Sequence, residues 1–182
     1  GAAGVVTNSM IRADMPYADN DLVPVGMIAV APSVIIVHPN VPVSNLNELV
    51  AWSKTQPGGI NWATAGGGST PHFVAEMLRE AGVAINIVPY KSGAESVTAV
   101  IANNVQATSE ASIVVLPQVK GGKLKAIATT YTKRITAYDQ LSTAREQGFA
   151  GVEIGHWAGV FAPKGTPPAI VVRMDKELEA VV

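Results

Sequence analysis

The sequence predicts an α/β fold with a mostly parallel sheet, and three observations support this prediction. Short apolar runs alternate with helix-like patterns through the middle of the chain, which is typical of βαβ units. Turn and capping residues separate these runs. Hydrophobic residues make up 48% of the 182 residues and charged residues only 15%, so the chain has ample apolar material for a core.

The elements follow in chain order from these patterns. Two strands, Val25–Ala31 and Val34–Val37, precede a helix that Ser44 caps and that Pro57–Gly59 ends. The alternation then continues with a strand from Ile60, a helix from Pro71 to Gly82 capped by Thr70, a strand Ile85–Val88 and a helix opened by the capping box Ser92–Glu95. Two more strands follow, Val105–Thr108 and Leu124–Ala128, with an irregular helical piece around Pro117 between them. The last predicted elements are a polar segment Tyr131–Leu141, a short helix ending at Gly148, a strand Trp157–Ala162 and a final helix capped by Thr166.

Composition and charge exclude several classes of partner. The formal net charge is −1, the pI is near 6.3 and Lys and Arg form no cluster, so we expect no nucleic-acid partner. No apolar run approaches the ~20 residues that span a bilayer, so we expect no direct membrane insertion. The absence of cysteine excludes disulfides and thiol catalysis. Because His38, His72 and His156 match no common zinc pattern, we expect no metal and no cofactor.

The two ends of the chain predict a piece of a longer protein. Gly1 is not an initiator methionine, and Val182 ends the chain inside a predicted helix without a glycine stop. No signal peptide is recognisable within the sequence. We therefore expect a fragment or a processed product.

The loop between the strand at Ile60 and the helix at Pro71 is the most informative segment. Ala65 leads into Gly66–Gly68, whose glycines let the backbone approach a ligand, and Ser69 and Thr70 then precede Pro71 as a predicted helix start. The free amides of the first turn would face an anion there. Because the loop has no Lys or Arg, a phosphate or a carboxylate suits it better than a polyphosphate. The alternative is a plain glycine-rich turn.

Parallel-sheet geometry adds candidates outside the loop. Turns that follow parallel strands meet at one edge of the sheet, so the helix starts near Thr70, Ser92 and Ser109 should converge on one rim. Roles other than ligand binding stay open for some of these candidates. His72 could instead be a solvated helix residue, and Ser109 and Glu110 could instead cap the next helix. The candidate ligand-binding residues are Ala65, Gly67, Gly68, Ser69, Thr70, His72, Tyr90, Ser109, Glu110 and, between the first two predicted strands, Ser33.

The sequence predicts a binding site without catalytic residues. It contains no Gly-x-Ser-x-Gly elbow and no phosphate-binding loop with its lysine, and Gly66–Gly68 does not match the dinucleotide-binding fingerprint. Ser69 lies in the right kind of turn for a nucleophile, but no evident base is near it in the sequence. A site that holds a molecule without altering it is therefore the favoured interpretation.

Five segments carry a resemblance to a known family. They are Met15–Val25, Ala65–His72, Val88–Gly93, Gly121–Ala128 and Trp157–Pro167, and they are similar in order to the patterns lPYD…dF.PV, SxGxGSxxH, VPYKGxG, aGKLRaLAv and WxGxxAPaGTP. Together they resemble the periplasmic substrate-binding receptors of tripartite tricarboxylate transporters, the Bug receptors. The resemblance covers nearly the whole chain.

The resemblance implies a type II, periplasmic-binding-protein-like fold, the Venus flytrap, of which this chain is mostly the second domain, with a parallel-rich sheet flanked by helices. It implies that residues 1–20 are a remnant of domain one and a hinge, that residues 21–148 are the second α/β domain, and that residues 149–182 return to domain one. Asn8 would border the cleft. The implied function is capture of a small mono-, di- or tricarboxylate in the periplasm, after export by an upstream signal peptide, and its delivery to membrane permease subunits.

Two other functions stay open alongside this one. An enzyme on the same scaffold, such as a transferase, would bind a phosphorylated substrate at the glycine loop. The effector-sensing domain of a transcription regulator is the other alternative. Two departures from the family pattern lie near the predicted rim: Gly93–Glu95 stands where many members have Gly-Pro-Ala, and Gln106 replaces a frequent Asp. The identity of the ligand is therefore open.

Overall fold

The structure is a computed structural model that describes residues 14–181. The described residues pack as two compact units, one formed by Ala31–Gly155 and the other by residues 14–30 together with residues 156–181. No helix of the described residues is both long enough and apolar enough to cross a bilayer.

The strands in the described part of the chain form a six-stranded mixed sheet. β2 is parallel to β3 and β4, whereas β1 is antiparallel to β4 and β5, so β2 to β5 run in one direction and β1 runs against them. The order is β3-β2-β4-β1-β5, and β6 pairs with β1. The parallel-rich sheet predicted from the sequence is thus confirmed. The strands are β1 (Leu22–Val37), β2 (Ile60–Thr64), β3 (Ile85–Pro89), β4 (Ala107–Ala111), β5 (Lys125–Thr129) and β6 (Gly155–Pro163).

Within residues 14–181, five helices accompany these strands. They are α1 (Leu46–Ser53), α2 (Thr70–Glu80), α3 (Gly93–Ile101), α4 (Ser112–Lys120) and α5 (Pro168–Glu179), with short 3-10 turns at Asp19–Asp21, Thr136–Tyr138 and Arg145–Gln147. Within the smaller unit, Asp175 and Leu178 of α5 lie against Gly26 of β1.

The two faces of the sheet in the larger unit bury separate apolar clusters. On one face, Val74 and Leu78 of α2 pack against Ile35, Trp62 and Ala107. The other face carries α3 and α4, whose Val97, Val100, Val115 and Leu116 pack against Val34, Ile36 and Ala63. Fully burying one such side chain contributes roughly 1.5–3 kcal/mol, so these clusters fix which helix covers which face.

The first strand differs from its prediction. The two predicted strands, Val25–Ala31 and Val34–Val37, are parts of one continuous strand, because the fixed φ of Pro32 is compatible with extended backbone. Ser33 follows directly and is the first residue of β1 that pairs with β4. The missing N–H of Pro32 therefore removes no hydrogen bond from that ladder.

The fourth strand also differs from its prediction. It was expected at Val105–Thr108 and is found at Ala107–Ala111, because pairing with β1 extends from Ala107 to Ala111. Ser109 and Glu110 therefore lie inside the strand rather than after it.

Three predicted helix caps are wrong by one residue. Asn45, not Ser44, caps α1, since its side-chain oxygen accepts the Glu48 N–H at 2.9 Å. Ser69, not Thr70, occupies the cap position of α2. Pro167 takes that position in α5, where the Thr166 hydroxyl donates to a carbonyl of the preceding turn at 2.7 Å. Hydroxyl and amide side chains have several local backbone partners, so sequence alone does not decide which residue caps.

The capping box predicted at the start of α3 is formed in only one of its two bonds, because the Glu95 carboxylate accepts the N–H of Lys91, one residue before the cap residue Ser92. The Ser92 hydroxyl accepts the Glu95 N–H at 3.2 Å, and the Glu95 carboxylate accepts the Lys91 N–H at 3.2 Å. Both bonds occupy backbone donors that would otherwise lack partners at a helix start.

Candidate functional site

The glycine loop is open on its outer side. Gly66 and Gly68 have positive φ, +89° and +73°, which glycine adopts without strain, whereas Gly67 does not. No heavy atom of the described residues lies within 4 Å of the position that a Cβ would take at Gly66 or Gly67. The loop therefore presents its backbone to open space before α2 begins.

Two side chains brace the loop from within. The Ser69 hydroxyl donates to the Gly66 carbonyl at 2.7 Å, and the Gly68 N–H donates to Nδ1 of His72 at 3.2 Å. The other ring nitrogen of His72, Nε2, lies 3.7 Å from the Glu76 carboxylate. The imidazole predicted to contact a ligand is thus engaged with the loop itself.

Among the described residues, the glycine loop and the first turn of α2 each leave one backbone donor available. The N–H groups of His72 and Phe73 both donate to the Ser69 carbonyl, at 2.9 and 3.1 Å, and Pro71 has no N–H. Within the described part of the chain, the amides of Gly67 and Thr70 have no hydrogen-bond acceptor. These donors lie at the positive end of the α2 dipole, where an anion is favoured.

Three buried hydroxyl groups have no hydrogen-bond partner among the described residues. Ser33, Thr64 and Ser109 have 0%, 1% and 0% of their surface exposed, and none of their hydroxyl oxygens bonds to another atom of residues 14–181. The neighbouring buried hydroxyl of β4, that of Thr108, is hydrogen-bonded, because it donates to the Ala63 carbonyl at 2.7 Å. Since nearly all buried polar groups are hydrogen-bonded, three exceptions together indicate a place built for a further partner.

The sheet register places these three hydroxyls in one row. Ser33 and Ser109 share a face because Ser109 pairs with Ile35, two residues after Ser33 on β1. Thr64 lies on the same face, because Trp62, two residues before Thr64 on β2, is the residue that pairs with β4. We call these three residues the hydroxyl row. It lies on the face that α2 covers, since Ile35 and Trp62 belong to the cluster packed against α2.

The hydroxyl row lies beside the start of α2. Thr64 ends β2 and is followed directly by the glycine loop, so the row reaches the carboxyl edges of β2 and β4 where α2 begins. The Trp62 indole N–H donates to the Pro71 carbonyl at 3.0 Å and ties this first turn to the sheet. Hydroxyls from three neighbouring strands and amides from one helix start therefore lie at the same edge of the sheet.

The chemistry of this position suits a small anion. Its donors are neutral hydroxyls and backbone amides, and the loop carries no lysine or arginine. Among residues 14–181, no group of three or more histidine, aspartate or glutamate side chains could hold a metal ion. Sequence reasoning missed Thr64, although its place at a strand end on the same face as Trp62 was the signal that could have found it.

The other predicted site residues lie apart from the row. Glu110 follows Ser109 in β4 and so points to the opposite face, where its carboxylate accepts the Ala111 N–H at 2.9 Å and contacts Gly93. Tyr90 also packs against the cluster on that opposite face and lines a shallow groove along α3. Asn8 lies outside the described residues. The structure therefore joins Ser33 and Ser109 to the loop but not Tyr90 or Glu110.

Known proteins share both the sequence pattern and the fold. The family model described as tripartite tricarboxylate transporter family receptor matches residues 1–181. The protein BugT of Bordetella pertussis is 33% identical over 97% of this chain and 55% of its own length. Two similar solved structures are R. palustris Rpa4515 with adipate, at a TM-score of 0.86 and 29% identity, and MatC (Rpa3494) from Rhodopseudomonas palustris with bound malate, at 0.85 and 25%.

The similarity to these structures covers 92% and 98% of this chain but 57% and 60% of those proteins, so the chain spans little more than half of the relatives it matches. The periplasmic-binding-protein-like fold predicted from the sequence is confirmed, since the similar structures include a periplasmic binding protein. A receptor family does not favour the transferase or the regulator alternative. The chain belongs to the tripartite tricarboxylate transporter receptor family.

Proposed function

We propose that this protein is a solute-binding receptor, not an enzyme, and that it captures a small carboxylate. The observation that carries this proposal is the hydroxyl row of Ser33, Thr64 and Ser109, three buried donors beside the start of α2 that have no partner in the described part of the chain. A carboxylate has two oxygens that accept several hydrogen bonds, so in this proposal it accepts from members of this row and from the Thr70 amide. Leaving a buried hydroxyl unsatisfied costs about 1–3 kcal/mol.

The class of ligand is supported by two further points. Similar structures are described with adipate and with malate, both small carboxylates. The site on this chain offers neutral donors only, which suits one modestly charged group better than a polyphosphate. In this proposal Ala65, Gly67, Gly68, Ser69 and Thr70 form the loop that cradles the carboxylate, and His72 holds the loop.

The proposal extends to location and partners. The receptor acts in the periplasm, after export by a signal peptide, and delivers its ligand to membrane permease subunits of a tripartite tricarboxylate transporter. Residues 21–148 form one lobe of a two-lobed receptor, and residues 1–20 and 149–182 belong to the other, where Asn8 borders the cleft. The separate packing of Ala31–Gly155 supports such a division.

Titration calorimetry tests the class of ligand. The intact protein is titrated with malate, adipate, inorganic phosphate and a sugar phosphate. Binding of a carboxylate with no binding of the phosphates supports the proposal. Binding of phosphorylated compounds alone would contradict the proposal and would favour the transferase alternative.

The pair Ser109→Ala and Thr108→Val tests the position of the site. Ser109→Ala removes an unsatisfied hydroxyl, so the unliganded protein should be as stable as before or about 1 kcal/mol more stable, while carboxylate affinity falls by roughly tenfold, the worth of one hydrogen bond. Thr108→Val removes a satisfied hydroxyl from the neighbouring residue and should lower stability without changing affinity. Thermal melts and calorimetry measure both. If the two variants bind alike, the row does not contact the ligand.

A further inference from the structure

A polar pocket lies at the edge of the sheet opposite the glycine loop. Asn61 stands near the amino end of β2 and Gln106 directly precedes β4, whereas the glycine loop follows the carboxyl end of β2. Gln106, expected near the predicted rim, therefore lies away from it. The pocket has a volume of about 340 Å³, within the range of roughly 300–1,000 Å³ that small-molecule sites occupy. We call it the amide pocket, and its lining includes five amide side chains and one indole, those of Asn40, Gln56, Asn61, Asn103, Gln106 and Trp52.

Two of these amides have a fixed orientation. Oδ1 of Asn61 accepts a hydrogen bond from Nδ2 of Asn86 at 2.8 Å, and Oε1 of Gln106 accepts the Asn61 N–H at 2.8 Å. Because each oxygen is already held, each of the two side chains offers its NH₂ group to a further partner. Within residues 14–181, neither of these NH₂ groups nor the indole N–H of Trp52 has a hydrogen-bond acceptor. These three donors are available to a ligand.

Strand formation does not account for the asparagines. Asn61 and Asn86 are paired directly in the parallel ladder of β2 and β3. Asparagine is depleted in strands, because its side chain competes with the backbone for hydrogen bonds. Departures from local sequence preference are expected at functional sites, so we assign this pair a role in orienting Asn61 in the pocket.

The chemistry of the amide pocket suits a neutral ligand that is rich in hydroxyl groups. Among the described residues that line it none is charged, so an anion or a cation would find no opposite charge there. Amide side chains both donate and accept hydrogen bonds, as hydroxyl groups do, and Asn40, Gln56 and Asn103 add acceptors to the three donors. Trp52 adds an apolar aromatic surface, which suits the C–H face of a sugar ring.

We propose that the amide pocket is a second ligand site and that it binds a neutral hexose. This inference is independent of the proposed carboxylate function, because the hydroxyl row lies at the opposite edge of the same sheet. Both sites can therefore be occupied at once. Since Asn61, Gln106 and Trp52 are half-buried, a hexose displaces water from their donors, and we expect a dissociation constant on the order of 1 mM.

Nuclear magnetic resonance of the intact, nitrogen-15-labelled protein tests the site and the class of ligand. The protein is titrated with glucose, galactose and mannose, and with the uronate and the 2-amino derivative of each. We expect a neutral hexose to shift the side-chain NH₂ signals of Asn61 and Gln106 and the indole signal of Trp52 saturably. Its affinity should be at least tenfold higher than that of its charged derivatives. The backbone amides of Gly67 and Thr70 should not shift, and an excess of malate should not change the hexose affinity.

Gln106→Glu removes one donor with little change of shape. Its carboxylate keeps an oxygen that accepts the Asn61 N–H, while the second oxygen replaces the NH₂ group. We expect hexose affinity to fall at least tenfold. Gln140→Glu makes the same change at an exposed residue outside the pocket and should leave the affinity unchanged. Trp52→Phe, which removes the indole N–H and keeps an aromatic ring, is the second variant and should also weaken hexose binding.

Three results would overturn the inference. One is that no hexose shifts the signals of Asn61, Gln106 and Trp52 in the wild-type protein. Another is that a uronate or an amino sugar binds there more tightly than the neutral hexose. The third is a hexose affinity that Gln106→Glu does not change, or that Gln140→Glu lowers equally. None of these results bears on the carboxylate function, which the titrations with malate and adipate test separately.

Discussion

Among single residues, Gly67 is the position at which a charge can be introduced most cleanly. Its φ is not positive and nothing described lies within 4 Å of its would-be Cβ, whereas Gly68, at φ +73°, would be strained by any side chain. We expect Gly67→Asp to place a carboxylate beside the ligand. Two like charges ~4 Å apart repel by about 4 kcal/mol at an effective dielectric of 20, so affinity should fall roughly a thousandfold. Calorimetry with the ligand that the wild-type protein binds measures the loss.

Gly67→Asn is the matched control for this variant. It has nearly the same shape and no charge, and asparagine is also tolerated in loops of this kind. We expect it to retain most of the affinity, and both variants should melt near the wild-type temperature. Equal affinities of the Asp and Asn variants would mean that the loop is a turn without a ligand.

For single residues, the sequence predicted the glycine loop but only part of the candidate site. Gly66–Gly68 is recognisable because consecutive glycines between a strand and a helix mark a turn whose backbone can approach a ligand. The hydroxyl row depends on which strands are neighbours and on their register, and neither is written in local sequence. Ser109 was expected to follow a strand and Ser33 to lie between two strands, yet both lie within strands and bear hydroxyls on one face. Thr64 was missed for the same reason.

Among the elements, the 3-10 turn Arg145–Gln147 depends on one carboxylate. Glu146 accepts the Thr143 N–H at 2.7 Å and contacts Arg134 Nε at 2.9 and 3.0 Å, and its own N–H donates to the Thr143 hydroxyl at 3.1 Å. The backbone hydrogen bond from Thr143, and then the Arg134 side chain, lower the pKa of Glu146 below its ordinary value of 4.5. The charged form therefore stabilises the folded segment.

We expect Glu146→Gln to reduce the acid sensitivity of the protein. Because the folded pKa of Glu146 is lowered, its stabilising contribution is present above the unfolded value of 4.5 and is lost as the pH falls through the folded pKa. The difference in melting temperature between wild type and variant should thus be largest near neutral pH and shrink below about pH 4. Arg134→Gln should show the same trend more weakly. A difference that stays constant from pH 7 to pH 3 would contradict this role.

Element existence and order were more predictable than element ends. The alternation of apolar runs and helical patterns follows from burial on both faces of a sheet, which leaves a strong signal in the sequence. The residue that caps a helix depends on competition among neighbouring side chains, as at Ser44 and Asn45. The predicted caps were therefore wrong by one residue. β1 was divided in two because Pro32 resembles a strand break, although extended backbone accommodates it.

In the molecule as a whole, the two units bury their apolar residues to different degrees. Ile35, Trp62 and Leu78 of the larger unit are fully buried, whereas Met27 of the smaller unit is 63% exposed and Val172 is 67% exposed. The helix α5 has no buried residue. Regions with few buried apolar contacts open more easily than packed cores.

We therefore expect hydrogen exchange to distinguish the two units in this 182-residue chain. Amides of α5 should exchange at least tenfold faster than amides of β2 and β4, since a difference of 1.4 kcal/mol in opening free energy gives a factor of ten. Mass spectrometry of peptides from the two regions measures the rates. Equal protection across both units would show that α5 is held as firmly as the core.

The proposed function requires a ligand carboxylate to bind to the hydroxyl row and to the start of α2. A crystal structure of the intact protein, grown with whichever of the titrated carboxylates binds most tightly, tests it most directly. We predict one carboxylate oxygen within about 2.7–3.2 Å of the Ser109 hydroxyl and another at a similar distance from the amide of Gly67 or Thr70. A carboxylate bound elsewhere, with Ser33, Thr64 and Ser109 uncontacted, would contradict the claim.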